Sequence, residues 1–87
     1  MAKIEAIVEL ILVYPYNQSI ATIIEFVQTW GLKIVSLNTN SNKAQIIIPS
    51  KKFKTMFHMN PKKGEFPVPS GAESFIESVL VKDIIVE

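Results

Sequence analysis

The feature that most constrains the fold is an apolar alternation near the start of the chain, from Lys3 to Tyr14. Alternation with a period of two predicts a β-strand with one face in the core. Since a strand of this length would exceed an ordinary one, we expect a bulge or bend within it. The even positions, which are all apolar, are Ile4, Ala6, Val8, Leu10, Leu12 and Tyr14.

The other side of this strand is partly apolar as well. Its odd positions begin with the polar residues Lys3, Glu5 and Glu9, and they also include three aliphatic residues. A strand that is apolar on both sides is usually central in its sheet. We therefore expect a central strand whose second face carries a hydrophobic surface. The three aliphatic residues are Ile7, Ile11 and Val13.

Composition limits the classes of function. The chain has 87 residues, enough for one domain with a core that needs no metal or disulfide. It has no cysteine, which rules out disulfides and thiolate chemistry. A net charge of +1 gives no general attraction to nucleic acid or to an acidic membrane. Because Glu5 and Glu9 interrupt the first apolar run, we expect no signal peptide or transmembrane helix, which favours a cytoplasmic protein.

A helix is predicted after the first strand. Pro15 ends the alternation, and Asn17 or Ser19 can cap a helix over 19–30. Gly31 is predicted to end this helix in the left-handed conformation. Apolar residues at spacings of three and four give the helix one buried stripe. The stripe consists of Ile20, Ile23, Ile24, Val27 and Trp30.

A hairpin and a second helix come next. The segments 32–37 and 43–48 predict two strands, and the polar segment 38–42 predicts the turn between them. Ser50 can cap a short helix over 51–58. The helix would direct three large apolar side chains inward. These are Phe53, Met56 and Phe57.

The last third of the chain predicts a loop, a helix and a strand. The segment 59–69 has three prolines and a glycine, and a short edge strand is expected around Gly64. Ser70 and Glu73 have the spacing of a capping box, which predicts a helix over 72–80. The segment 81–87 predicts the final strand. The apolar residues that suggest a buried helical face are Phe75, Ile76, Val79 and Leu80.

This order of elements predicts a single α+β domain over residues 1–87. Right-handed crossovers would place all helices on one face of a four-stranded antiparallel sheet. The expected arrangement is the ferredoxin-like split βαβ fold, in which the first and third strands are central.

Such a fold leaves one sheet face open, and the sequence predicts a hydrophobic surface there. A patch of this kind on a monomer usually has a binding role. Two interpretations remain open, a homodimer that pairs sheet against sheet and a docking face for a different protein. The predicted protein-interaction residues are Ile7, Ile11, Val13, Val35, Leu37 and Ile47.

The polar residues do not predict catalysis, a cofactor or a metal site. His58 is the only histidine and has no cysteine or carboxylate cluster beside it, so helix-end packing or simple exposure to solvent is the expected role. The central strands offer aliphatic residues where RNA-recognition motifs stack bases on aromatic rings, which argues against RNA. No nucleophile motif or phosphate-binding glycine loop is present. A solvated basic edge is expected at Lys51, Lys52, Lys54, Lys62 and Lys63.

Several spacings from Ile24 onward match the pattern of a known family. Phe26 lies five residues before Gly31-Leu32, and Met56-Phe57 ends the second helix. Pro69 precedes apolar residues at six, seven, ten and eleven positions. In these features the chain resembles the activation (pro) domain of sedolisin/kumamolisin-type serine-carboxyl peptidases.

The resemblance implies a function in protein binding. In propeptides of this architecture, the open sheet face packs on the enzyme. Val81 differs from the glycine that is usual in the family, and no catalytic domain follows Glu87 in this sequence. The resemblance therefore implies a freestanding relative that acts as a peptidase inhibitor or as a folding assistant.

Three classes of function follow from the sequence. The first is a propeptide-like protein-binding module, whose partner would be a peptidase. The second is a small structural domain that self-associates through its open face. The third, an enzyme or small-ligand binder, would need polar groups that converge on a cavity, and the sequence pattern does not predict such a site.

Overall fold

The computed structural model describes residues 3–37 and 41–87. They form an α+β domain with two helices and five strands. A single antiparallel sheet has the strand order β2-β3-β1-β5-β4. The elements are β1 (Ile4–Leu12), α1 (Tyr16–Trp30), β2 (Lys33–Leu37), β3 (Lys43–Pro49), α2 (Ser50–Phe57), β4 (Gly64–Phe66) and β5 (Ile76–Val86).

The predicted central strand is confirmed. β1 lies between β3 and β5, and β3 lies between β2 and β1. The even positions of β1 from Ala6 to Leu12 are at most 2% exposed and form the middle of the core. Two even positions differ from the prediction, because Ile4 is 38% exposed and Tyr14 lies beyond the strand and is 78% exposed.

Both helices pack on one face of the sheet. Ile20, Ile23 and Val27 of α1 are buried in the same core cluster as the even positions of β1. Phe53 and Phe57 of α2 belong to this cluster too, and their rings stack with centroids 4.4 Å apart. The opposite face of the sheet is therefore left open, as the sequence predicted.

The start of α1 differs in detail from the prediction. The helix begins at Tyr16 after Pro15, without a side-chain cap. Ser19 is buried instead, and its hydroxyl donates a 2.5 Å hydrogen bond to the carbonyl of Val13. This bond ties the first turn of the helix to the end of β1. Ile24, which was predicted to be buried, is 37% exposed.

The end of α1 is confirmed at Gly31, which has a φ of 67°. The last turn of this helix contains no basic residue, but Lys52 of α2 supplies a cation from outside. Its ammonium donates to the carbonyl of Trp30 at 2.6 Å and to that of Gly31 at 3.2 Å. Carbonyl groups at a helix C-terminus lack intrahelical donors, and the Lys52 ammonium supplies the missing hydrogen bonds. Its positive charge also interacts favourably with the negative end of the helix dipole.

Helix α2 and the short edge strand lie where the sequence placed them. Ser50 is the first residue of α2 and gives no side-chain cap, while His58 ends the helix in the left-handed conformation. β4 is centred near Gly64, as expected, and Phe66 of this strand packs edge-on against Phe53. Of the predicted turn 38–42, residues 38–40 lie outside the described part of the chain.

The prediction of a helix over 72–80 was wrong, and so was the four-stranded sheet. Residues from Ile76 onward form β5, and β4 adds a fifth strand at its outer edge. The predicted capping box is a turn, in which the carboxylate of Glu73 accepts a 2.9 Å hydrogen bond from the backbone of Gly71. The backbone of Ile76 donates to the carbonyl of Ala72 at 2.8 Å, where the turn leads into the strand.

Bulges in β5 explain the misleading helical pattern. The ladder between β1 and β5 shifts register between Ile7 and Val8 and again between Ile11 and Leu12. Each shift adds a residue to β5, so its core-facing side chains recur at uneven spacings that imitate a helix. The bulge that the sequence predicted for the first strand is therefore located in its partner. The core-facing positions of β5 are Ile76, Val79, Val81 and Ile84.

Candidate functional site

The candidate site is the open face of the sheet, opposite the helices. The side chains of paired residues form rows across this face. In one row, Ile7 of β1 lies beside Ile47 of β3 and Asp83 of β5. Residues that are directly opposite each other in a ladder share a face, and their side chains are in reach of one another. Ile7 and Ile47 are each half-buried by these neighbours. They form the aliphatic centre of the face.

A polar row crosses the face beside this centre. Glu9 lies between Gln45 of β3 and Leu80 of β5. Its carboxylate accepts a hydrogen bond from the amide nitrogen of Gln45 at 3.4 Å and is 4.0 Å from the ammonium of Lys82. The Glu9 side chain is only 13% exposed, so it lies against the sheet and does not extend into solvent. The polar row separates Ile7 from Ile11.

A second carboxylate marks one end of the face. Glu5 is 7% exposed, although it belongs to the open side, and it is flanked by Pro49 and Ile85. Its carboxylate is 4.0 Å from the ammonium of Lys3. At the other end, Ile11 is flanked by Lys43 and Ser78. The face thus combines aliphatic and charged residues in its rows, and Ile7 and Ile47 are the directly paired aliphatic residues.

The structure brings three of the six predicted interaction residues onto this face, namely Ile7, Ile11 and Ile47. Val13 is half-buried just beyond the end of β1, where its backbone donates to the carbonyl of Phe75 at 3.1 Å. Val35 is the bulged residue of β2 and is 49% exposed at the edge of the sheet.

The prediction that Leu37 lies on the open face was wrong. Ile34 of β2 pairs with Ile46, a core residue, and a register shift follows at Val35. Because the bulge reverses the alternation, Leu37 pairs with Ala44 and packs against the core.

Two aliphatic residues of the face were missed by the sequence reasoning. Leu80 pairs with Glu9, and Ile85 pairs with Glu5, so both lie on the open side. Leu80 was assigned to a helical face, because the segment before it was interpreted as a helix. The β-branched run Val79–Val86 was the available signal for a longer strand.

The remaining polar candidates form no chemical centre in the described structure. Among residues 3–37 and 41–87, no group of three or more histidine, cysteine, aspartate and glutamate residues could hold a metal ion. Two of the five lysines of the predicted basic edge make specific contacts: Lys52 caps α1, and Lys63 lies 3.7 Å from Asp83. No helix of the described chain is long and apolar enough to cross a membrane.

Comparisons with known proteins add no family assignment. No family model, curated protein or solved structure matches this chain. The resemblance to peptidase propeptides therefore stays a prediction, and the interpretation of the open face depends on its own geometry.

Proposed function

We propose that this domain is a non-catalytic protein-binding module that uses the open face of its sheet, in the manner of a peptidase propeptide. The observation that carries the proposal is the aliphatic pair Ile7 and Ile47 at the centre of a face that no element of the described chain covers. A partner that covers this pair would remove apolar surface from water, which favours association.

The layout of the face supports this role. Protein interfaces commonly have an apolar centre within a polar rim. Here Ile7 and Ile47 supply the centre, while Lys33 of β2 and Lys43 of β3 are exposed polar residues around it on the same face. The molecule measures 40 × 23 × 22 Å, so its sheet is large enough to bury about 800 Å² per partner, as a specific complex requires.

The topology also supports a propeptide-like function. When the short edge strand β4 is set aside, the remaining order β2-β3-β1-β5 is that of a ferredoxin-like split βαβ sheet. This is the arrangement that the order of elements predicted, and the propeptides that the chain resembles share it. The proposed partner is accordingly a peptidase of the serine-carboxyl type, and the proposed activity is inhibition of that enzyme or assistance in its folding.

A second candidate, self-association, is favoured by the mixed charges of the face. Glu5 and Glu9 lie on β1, Lys43 lies on the neighbouring strand β3, and Lys33 lies on the edge strand β2 of the same face. In a two-fold dimer, each patch meets its own copy, so a face with both signs of charge can complement itself.

The test is a lysine substitution at the centre of the face, Ile47→Lys, or at its end, Ile11→Lys. Both residues are half-buried on the open side, so we expect the fold to persist and association to be lost. A lysine in a desolvated contact without a partner costs several kcal/mol. Ile24→Lys is the matched control, because Ile24 is an exposed isoleucine on the helix side of the domain.

The measurements are inhibition and refolding assays with a sedolisin-type catalytic domain, together with light scattering for oligomeric state. Circular dichroism verifies that each variant is folded. Loss of enzyme binding in the two sheet variants alone supports the propeptide-like function, and loss of a dimer alone supports self-association. A wild-type chain that stays monomeric and neither inhibits nor refolds the enzyme contradicts both candidates.

A further inference from the structure

A second surface feature lies on the other side of the domain, in the helix layer. A cavity of about 470 Å³ opens between α1, α2 and the segment that leads into β5. This volume is within the range of about 300–1,000 Å³ that small-molecule sites usually have. The largest apolar side chains of its lining are Phe26, Trp30, Met56, Phe57 and Phe75.

The aromatic rings form one continuous wall. Phe26 lies 5.8 Å from Phe75 in an edge-on arrangement and 6.3 Å from Trp30 at 45°, measured between ring centroids. Phe57 and Phe75 are nearly buried in this lining, whereas Phe26 and Trp30 are half-buried and expose part of their rings. Such a wall offers edge-on and stacked positions to a further ring.

The opposite wall is held in place by local backbone constraints. Pro67 and Pro69 restrict this segment, and the backbone of Ala72 donates to the carbonyl of Pro69 at 3.0 Å. The backbone of Phe75 donates in turn to the carbonyl of Ala72 at 3.1 Å. The cavity is therefore formed in the free protein, which lowers the entropic cost of binding a ligand.

The polar groups of the lining indicate the charge of the occupant. Thr55, His58 and Ser70 contribute polar side chains, and all three are exposed. The described residues that line the cavity include no carboxylate, so a cationic ligand would find no counter-charge there. The Thr55 hydroxyl donates to the carbonyl of Lys51, so the His58 imidazole and the Ser70 hydroxyl are the groups that can donate hydrogen bonds to an anionic or neutral oxygen.

We propose that this cavity binds a small planar aromatic compound that carries one anionic or neutral polar group. Its ring system lies against Phe26, Trp30 and Phe75, and its polar group lies at the opening near His58 and Ser70. The site is independent of the proposed protein-binding function, because it belongs to the helix layer and the interaction face lies on the other side of the sheet.

The experiment uses toluene-4-sulfonate as the probe, and binding is measured by calorimetry and by Trp30 emission, excited at a wavelength that the probe does not absorb. Trp30 is the only tryptophan, so its emission reports on the cavity wall alone. Thr55→Phe places a ring at the opening from an exposed helix position. Ala21→Phe is the control, because Ala21 is also an exposed helix position and is not part of this lining.

We expect saturable binding with one probe per chain, a change in Trp30 emission, and a loss of affinity of about tenfold or more in Thr55→Phe. The control should stay within about twofold of the wild type. If circular dichroism shows that Thr55→Phe is unfolded, Ser70→Phe on the other wall of the cavity repeats the test. Absence of saturable binding, or equal affinity in the blocked and control variants, would overturn the proposal.

Discussion

Lys52 and Gly31 form a contact whose energy can be measured by a double-mutant cycle. The Lys52 ammonium donates to the carbonyls of Trp30 and Gly31 at 2.6 and 3.2 Å, and it is the cation at the C-terminus of α1. Lys52→Met keeps much of the apolar stem and removes these bonds. Hydrogen bonds to charged groups contribute about 1.5–3 kcal/mol, and because Lys52 is only half-buried we expect a loss of about 1–2 kcal/mol.

Gly31→Ala affects the same contact from the other side. Gly31 has a φ of 67°, so an alanine at this position must adopt the left-handed conformation, which lowers the free energy of unfolding by about 1–2 kcal/mol. In addition, its Cβ would lie 2.9 Å from the Lys52 ammonium, so the lysine must move and weaken its hydrogen bonds. Gly31→Ala is therefore expected to lower the free energy of unfolding by about 2–4 kcal/mol in the wild type, but by only about 1–2 kcal/mol in the Lys52→Met background.

The assay is urea unfolding of the four proteins, followed by circular dichroism. A coupling of about 1 kcal/mol between the two positions is the expected result. Gly71→Ala provides the control, because Gly71 also has a positive φ of 88° but a Cβ there would contact nothing within 4 Å. It should lose stability without any coupling to Lys52. Additive effects of Gly31→Ala and Lys52→Met, within about 0.5 kcal/mol, would refute the reasoning.

Two further predictions concern the core and the start of α1, and both are measured by chemical unfolding. Ile46 is fully buried, so Ile46→Ala should lower the free energy of unfolding by about 2–5 kcal/mol. Ile34 pairs with Ile46 across β2 and β3 but is 40% exposed, so Ile34→Ala should lower it by less than about 1 kcal/mol. Equal costs would mean that Ile46 does not face the core. Ser19→Ala should cost about 1–3 kcal/mol because the buried hydroxyl no longer satisfies the Val13 carbonyl, and Ser78→Ala on an exposed position should cost almost nothing. A Ser19 variant as stable as the Ser78 variant would show that water replaces the bond.

Regular alternation allowed the centre of the fold to be predicted from sequence. The side chains of β1 keep a strict period of two between Ala6 and Leu12, and those of β3 do so between Ala44 and Ile48. Gly31 likewise can adopt the left-handed conformation that ends a helix, and the structure confirms this conformation. In these places, one local preference and the packing of the core favour the same structure.

Bulges explain most of what the sequence reasoning missed. In β2 the extra residue Val35 reverses the alternation, so Leu37 was placed on the wrong face. In β5 the two extra residues produced core spacings that resemble those of a helix, so Leu80 was not recognised as part of the candidate site. A bulge depends on the register of the partner strand, and neighbouring residues alone do not reveal that register.

The cavity in the helix layer was missed for a related reason. Phe26 and Trp30 belong to α1, whereas Pro69 and Phe75 come from the segment before β5. Each of these residues has an ordinary role in its own segment. Their convergence follows from the packing of two helices against a turn that the sequence predicted as part of a third helix.

The position of β1 has a consequence for the kinetics of folding. Ile4 pairs with Val86 and Glu5 pairs with Pro49, so the central strand has all its partners far along the chain. Loop-closure entropy opposes such pairings until many contacts form together, which slows folding relative to chains rich in local contacts. The hairpin of β2 and β3 is the local exception, and it can form early. We therefore expect the docking of β1 between β3 and β5 to limit the rate, and until it occurs the most apolar strand of the chain is exposed to aggregation.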